Sequence, residues 1–307
     1  MADRLKPVRT LGKTGAAVPL IGYGTAPLGK TDRVPKSEGV RCLNHAIDRG
    51  ITYLDTSPDY GSEPVVGEVM RNRRDEVFLA TKINKRRKES VLAELKASLE
   101  KLQTDHVDLI QVHAVNAHAD LEQALADDGA VAGLLEAREQ GLVRYLGITG
   151  HARPEVLAEG LRRFPFDTVL VAAGMPDKLV SGPDAFLLPV AVERNVGVIA
   201  MKVFGHGTID DRKLALRFSL GLPGVSLAII GMDGTAQIDE NVSLALDYRP
   251  LTEAEEARLI DEVQPLVVDD ADKEAKGERD GKSGLFWLHD TAVMGWKEHD
   301  EPERVAY

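Results

Sequence analysis

"VFLATKINKRRKESVLAELKASLEKLQTDHVDLIQVH", residues 77–113, decides the fold. It opens on "VFLATK" (77–82) and closes on "VDLIQVH" (107–113), two short runs rich in Val, Ile and Leu that read as buried strands. Between them, "KESVLAELKASLEKL" sets Val91, Leu95, Leu99 and Leu102 on one face of a helix. Two buried strands joined by a helix run parallel. Working outward, the same unit recurs. "PLIGYG" (19–24) and "TYLD" (52–55) precede it; "VRYLGIT" (143–149), "DTVLVAA" (167–173), "VGVIAMKVF" (196–204) and "VSLAII" (225–230) follow. The helical patterns between them include "LEQALADDGAVAGLLEAREQG", "PEVLAEGLRRF" and "DAFLLPVAVERNVG", with Gly50, Gly141 and Gly197 where C-cap glycines are expected. These strand–helix units predict an α/β fold, a (β/α)8 TIM barrel. A doubly wound open sheet would need Gly-x-Gly-x-x-Gly after an early strand. "GYGTAPLG" (22–29) misses that spacing and runs into "KTDRVPK" instead of a helix.

Two segments lie outside the repeat. Residues 8–18, around "KTG", predict an N-terminal β-hairpin closing the barrel bottom. Residues 269–307 read as an irregular C-terminal extension: "DDADKEAKGERDGKSG" as a solvated loop, then "LFWLHDTAVMGW". Its Phe286, Trp287 and Trp296 predict docking on the barrel. The whole chain, 1–307, is expected to form one barrel domain. A net charge of −11 argues against nucleic acid and anionic membranes as partners, and no apolar run reaches the length of a membrane helix. The start lacks a signal-peptide core, and the single Cys42, on a helix face, excludes an internal disulfide; a cytoplasmic location is expected.

Chemistry in such a barrel gathers at the C-terminal strand ends. There the second strand offers Asp55 with Tyr60 in the loop behind it, the third Lys82, the fourth His113. A tyrosine is a poor proton donor at neutral pH; a neighbouring ammonium lowers its pKa, and a buried ammonium needs a carboxylate. Asp55 is expected to anchor Lys82, Lys82 to tune Tyr60 as general acid or base, and His113 to orient or polarise a carbonyl. Metal catalysis is not expected: "HAVNAH" (113–118) lacks a supporting third ligand and Lys82 repels a cation.

Here the sequence resembles the aldo-keto reductases, from "LGKTG" near residue 11 to "ENVSLAL" near residue 246, through "LDTSPDYG" with "VGEVM", "LATK", "VDLIQVH", "VRYLGIT" and "VSLAIIGM…QIDEN". The resemblance implies that Asp55, Tyr60, Lys82 and His113 are a catalytic tetrad, and that an extended nicotinamide dinucleotide exchanges hydride with a small carbonyl or alcohol substrate. It also implies a monomer or weak homo-oligomer. The cofactor contacts carried over are Gly24, Thr25, Asp55, Thr149, Gly150, Met201, Lys202, Val203, Gly205, Gly231, Met232, Asp233, Gln237, Glu240 and Asn241. The nicotinamide grip departs from the family. Its Ser-Asn pair is Thr149–Gly150 followed by His151, its Gln is Leu170, and its Tyr-Ser is Met201–Lys202. Met201 can cover the ring; Lys202 and the amides of "FGHG" (204–207) can meet the pyrophosphate. NADP(H) is the family default. Yet no cation is expected past the eighth strand, where Asp233 and Gln237 precede Glu240–Asn241, which makes NAD(H) plausible. The alternative function is a nucleotide-binding regulatory barrel with little turnover; the weakened clamp favours it and the intact tetrad opposes it.

Overall fold

The computed structural model describes residues 4–6, 8–276 and 285–288. Strands β1 (Arg9–Thr10) and β2 (Ala17–Val18) pair antiparallel in the expected hairpin. The barrel strands are β3 (Ile21–Gly24), β4 (Tyr53–Asp55), β5 (Phe78–Ile83), β6 (Val107–Val112), β7 (Val143–Gly150), β8 (Thr168–Ala172), β9 (Gly197–Met201) and β10 (Val225–Gly231). They run parallel and close in the order β10-β3-β4-β5-β6-β7-β8-β9, a (β/α)8 barrel.

Strand side chains alternate between the two faces. The inward set begins with Tyr53, Ala80, Leu109, Leu170, Ile199 and Leu227, packed with Leu11 and Val18 of the hairpin. The hairpin thus closes the N-terminal end of the barrel, and Lys13 N donates to Asn195 O at 2.7 Å. Two residues further along the same strands stand Asp55, Lys82 and Gln111, and two beyond Gln111 stands His113. The apolar layer is therefore the floor on which the polar layer rests. Gly147 makes room inside the barrel: a Cβ there would lie 2.4 Å from Thr168 Oγ1 and 2.9 Å from Gln111 Cγ.

Four expectations are corrected. Gly197 is not a helix cap; Asn195 takes the left-handed position (φ 50) and Gly197 opens β9 against Leu11, 2.7 Å from a would-be Cβ. The stretch after "HAVNA" is two helices, His118–Leu125 and Ala130–Glu139, broken at "ADDG". The stretch "DAFLLPVAVERNVG" carries two short helices, Pro183–Phe186 and Leu188–Glu193. Residues 269–275 are not loop but the end of a helix, Glu253–Ala275. Buried Leu259 and Val263, one helical turn apart, anchor that helix, and no Gly or Pro interrupts residues 266–276. Trp287 of the C-terminal segment is fully buried against Ala172, Met201, Leu266 and Val267. Trp296 and the Phe286 side chain lie outside the described residues. Cys42 is buried, and burial followed by Glu38 pushes its thiol up to about 11, as befits an inert core residue.

Candidate active site

The C-terminal mouth of the barrel brings the four expected residues together. Asp55 and Lys82 are buried, with Nζ 2.5 Å from Oδ1 and donating to Thr56 O at 2.8 Å. Gln111 Nε2 donates to the other carboxylate oxygen at 3.2 Å. Below them, Thr25 N and Oγ1 donate to Asp55 O at 2.9 and 3.0 Å, so Thr25 braces the end of β4. Tyr60 ends the single 3-10 turn Pro58–Tyr60, and Gly61 (φ 73) reverses the chain behind it. Gly29 lies beneath this turn, where a Cβ would fall 1.5 Å from Tyr60 O. The half-buried Tyr60 ring stands edge-on to the His113 ring at 6.2 Å and 81°, and Lys82 Nζ lies 4.7 Å from its centroid.

The electrostatics differ from the expected tuning. Burial, then Asp55 and Asp59, raise the Tyr60 phenol well above the ordinary value. The Lys82 ammonium is held by Asp55 and the Thr56 carbonyl and lies against the ring of Tyr60. The phenol is therefore neutral. Burial, then Lys82 and Arg86, push His113 well below its usual range, so it is neutral too. Its Nδ1 lies 2.8 Å from Asn84 Oδ1 and 3.4 Å from Asp59 Oδ2. Gln111, Asn84 and Asp59 were not among the expected site residues. Only Gln111 left a signal, a polar residue at an inward strand position two before His113.

On β7, the strand next to β6, Thr149 is buried and accepts from Ala114 N, the residue after His113, at 3.0 Å. Gly150 cannot carry the family's amide: a Cβ there would lie 2.7 Å from Val115 O and 3.2 Å from Asn116 Oδ1. That same Asn116 oxygen accepts from His151 N at 2.8 Å. His151 is buried and held well below its usual pKa by burial, then Lys202; its Nδ1 has no hydrogen-bond partner among the described residues. Lys202 leaves β9 in the left-handed region (φ 60) and lies 5.1 Å over the Trp287 indole. Trp287 Nε1 donates to Asp177 at 2.8 Å. Burial pushes Asp177 up to about 7 and Lys202 down to about 8. Met201 is partly buried and packs against the cluster that contains Trp287.

Val203 and Met232 bury their side chains in the core, Gly205 (φ 55) packs on Thr208 and Ile209, and Gly24 is closed in by Ile229. Gly231 ends β10. Asp233 N donates to Gln237 Oε1 at 3.0 Å, where the helix Thr235–Leu246 begins. The expectation of no cation here is corrected. Arg33, from the loop after β3, pairs with Asp233 at 3.0 Å. Arg41 reaches Thr235 at 3.5 Å, and Arg212 meets Glu240 at 3.0 Å and Asn241 at 3.3 Å.

A model of the Aldo/keto reductase family matches residues 20–214. The chain belongs to that family. This aldo/keto reductase is therefore an oxidoreductase by family. It is similar to the L-galactose dehydrogenase of Arabidopsis thaliana, 28% identical over 300 residues covering 81% of this chain and 93% of that one. It is also similar to the D-threo-aldose 1-dehydrogenase of a Pseudomonas species, 31% identical over 231 residues, 64% of this chain and 68% of that one. Among solved structures, an aldo/keto reductase from Klebsiella pneumoniae in complex with NADP and acetate shares the fold, with a TM-score of 0.67 and 24% identity over 82% of this chain and 94% of that one. Among the described residues no helix is long and apolar enough to cross a membrane.

Proposed function

We propose that this aldo/keto reductase interconverts an aldehyde, ketone or sugar lactone with the corresponding alcohol or hemiacetal, using a nicotinamide dinucleotide and Tyr60 as general acid and base. The observation that carries the reading is the Tyr60 ring, set edge-on to His113 and beside a Lys82 that is held by Asp55. In the reductive direction Tyr60 gives its proton to the oxygen that becomes the hydroxyl; in the oxidative direction it takes that proton back. Lys82 steadies the charge left on the phenol, and Asp55 with Gln111 keeps Lys82 aimed. The names of the two aldose dehydrogenases support a sugar or other hydroxylated substrate.

The donor set at the mouth fits an extended dinucleotide. The orphaned Nδ1 of His151 and the Thr149 hydroxyl suit a carboxamide. The Lys202 ammonium and the open space at Gly207 suit a pyrophosphate. The helix start at Gly234, open where a Cβ would stand, suits a further phosphate. The bound cofactor would supply or accept the hydride. NADP(H) is the proposed cofactor, because Arg33 neutralises Asp233 and Arg41 stands nearby. The test is a screen of aldehydes, aldoses and polyols, followed by the absorbance of reduced nicotinamide with either dinucleotide. Turnover that is lost in Tyr60→Phe supports the reading; no turnover of any of these classes overturns it.

A further inference from the structure

His113 stands where the ladder between β5 and β6 gives out. Its main-chain N still donates to Ile83 O at 3.0 Å. The next rung of a parallel ladder would run from Lys85 N to His113 O. Lys85 N donates instead to Glu94 Oε2 at 3.1 Å, beside Asn84 N at 2.7 Å. Glu94 lies on the helix Lys88–Leu102 and draws the end of the β5 loop away from β6. The His113 carbonyl accepts from Arg86 Nη2 at 2.5 Å. The chain then bends at once, because Ala114 takes the left-handed region (φ 53) that favours glycine. Thr149 grips the far side of the bend, its Oγ1 accepting from Ala114 N at 3.0 Å and its O from Val115 N at 2.7 Å.

The Arg86 guanidinium is itself held fast. Its side chain is 9% exposed and meets Asp120 side-on, Nε to Oδ1 at 2.6 Å and Nη2 to Oδ2 at 3.0 Å, while Nη1 donates to Asn84 O at 3.1 Å. Two parallel bonds to one carboxylate fix the plane of a guanidinium. Asp120 stands in the first turn of the helix His118–Leu125, which starts four residues past Ala114. One side chain therefore joins the loop after β5, the end of β6 and the helix that follows.

A side chain points where its main chain aims it. The His113 ring must lie edge-on to Tyr60, 6.2 Å away, from a strand end whose last carbonyl has left the ladder. We propose that Arg86, anchored by Asp120, is a positioning residue of the reaction: it holds the His113 carbonyl at the left-handed bend and so fixes the direction in which the His113 ring enters the barrel mouth. The proposal rests on the oxidoreductase reading above, which places His113 beside the reacting oxygen. What the role requires is the planar fork and not the charge alone. A lysine carries the same charge, but its ammonium is a point donor that cannot lie side-on to Asp120 while it also reaches the His113 and Asn84 carbonyls.

Arg86→Lys and Asp120→Asn test this, since each keeps a cation at residue 86 and loses the side-on pair. Each should lower kcat about five- to tenfold, because small displacements beside the reacting atoms cost large factors in rate, while the dinucleotide Kd from fluorescence titration changes by less than about twofold. The ring is read separately from the Cε1–Hε1 cross-peak of His113 in 13C-labelled protein, assigned by its loss in His113→Asn. That peak lies in the field of the Tyr60 ring and should shift or broaden in both variants. Asp120→Asn is equal in shape and leaves the guanidinium in place, so it decides the matter if Arg86→Lys does not fold. An unmoved cross-peak overturns the proposal, and so does a kcat within about twofold of the wild type. A fall in kcat matched by an equal loss of dinucleotide binding overturns it as well, being the mark of general support for the fold. The cross-peak needs no turnover, so it decides whether Arg86 aims the ring even if the oxidoreductase reading fails.

Discussion

Lys82→Met removes the ammonium and keeps most of the apolar stem. The residue is 1% exposed and its partner Asp55 2%. The 2.5 Å contact between them is a buried ion pair, and such a pair behaves asymmetrically. Losing one member strands the other charge where water cannot reach it, at a cost of about 3–5 kcal/mol. In Lys82→Met the stranded carboxylate keeps the Gln111 amide at 3.2 Å; in Asp55→Asn the stranded ammonium keeps the Thr56 carbonyl at 2.8 Å. Each single change should therefore lose roughly 3 kcal/mol or more. The double variant strands nothing and gives up only hydrogen bonds, about 1–2 kcal/mol. The singles then overcount the double by about 4 kcal/mol or more, far beyond the ~0.5 kcal/mol within which independent sites add. Urea unfolding of the wild type and the three variants at one pH, followed by circular dichroism and tryptophan fluorescence, measures this coupling. Additive losses, or a Lys82→Met variant within about 1 kcal/mol of the wild type, would refute the buried-pair account.

Tyr60→Phe should lower kcat about a hundredfold or more while dinucleotide binding, measured by fluorescence titration, stays near the wild-type value; near-normal turnover would remove Tyr60 from the proton transfer. Asp177, held up to about 7 in the folded chain, binds its proton more tightly than the unfolded chain does. Its contribution to stability is thus full below the unfolded value and is lost as pH rises through about 7. Asp177→Asn should gain roughly 2–3 kcal/mol on the wild type between pH 5 and pH 8, and parallel urea stability curves would contradict this. Gly150→Ala forces a Cβ against the Val115 carbonyl and should cost about 1–3 kcal/mol in the same assay; a neutral substitution would show that the loop yields freely. Arg33→Ala should lower kcat/KM for NADPH about three- to tenfold relative to NADH, a modest figure because Arg33 is 69% exposed; an unchanged ratio would take Arg33 out of the nucleotide site.

The barrel was legible because its rules are local. Runs of apolar residues mark the strands, helical periodicity marks the crossovers, and the alternation of faces puts Asp55, Lys82 and His113 inside once Tyr53, Ala80 and Leu109 are inside. The residues that fine-tune the site follow no such period. Asn84 lies just past β5, Asp59 in a turn and His151 just past β7, and each matters through a neighbour distant in the chain. Sequence order says that Lys82 and Tyr60 are close but not which atoms face: the ammonium lies 4.7 Å from the ring centroid and is paired with Asp55. The helix Glu253–Ala275 had a signal in Leu259 and Val263, masked by the run of acids that covers its last turns.

Closure of the barrel explains the misread charge past the eighth strand. Reading along the chain, Gly231 to Asn241 offers Asp233 and Gln237 and no base, which argues against a phosphate on the ribose. In a closed parallel barrel the last strand is hydrogen-bonded to the first: Ala228 to Gly231 of β10 align with Ile21 to Gly24 of β3. The loops that leave the two strands at the same end must then lie side by side, although 200 residues of chain separate Arg33 from Asp233. The 3.0 Å pair between them is a consequence of that register. It also changes the sign of the argument, since an Asp already paired to Arg no longer repels a phosphate, and the guanidinium retains donors beyond the one it spends. Dinucleotide preference in this chain is therefore set by two loops together, and the Arg33→Ala ratio reads their joint charge rather than that of the segment after β10 alone.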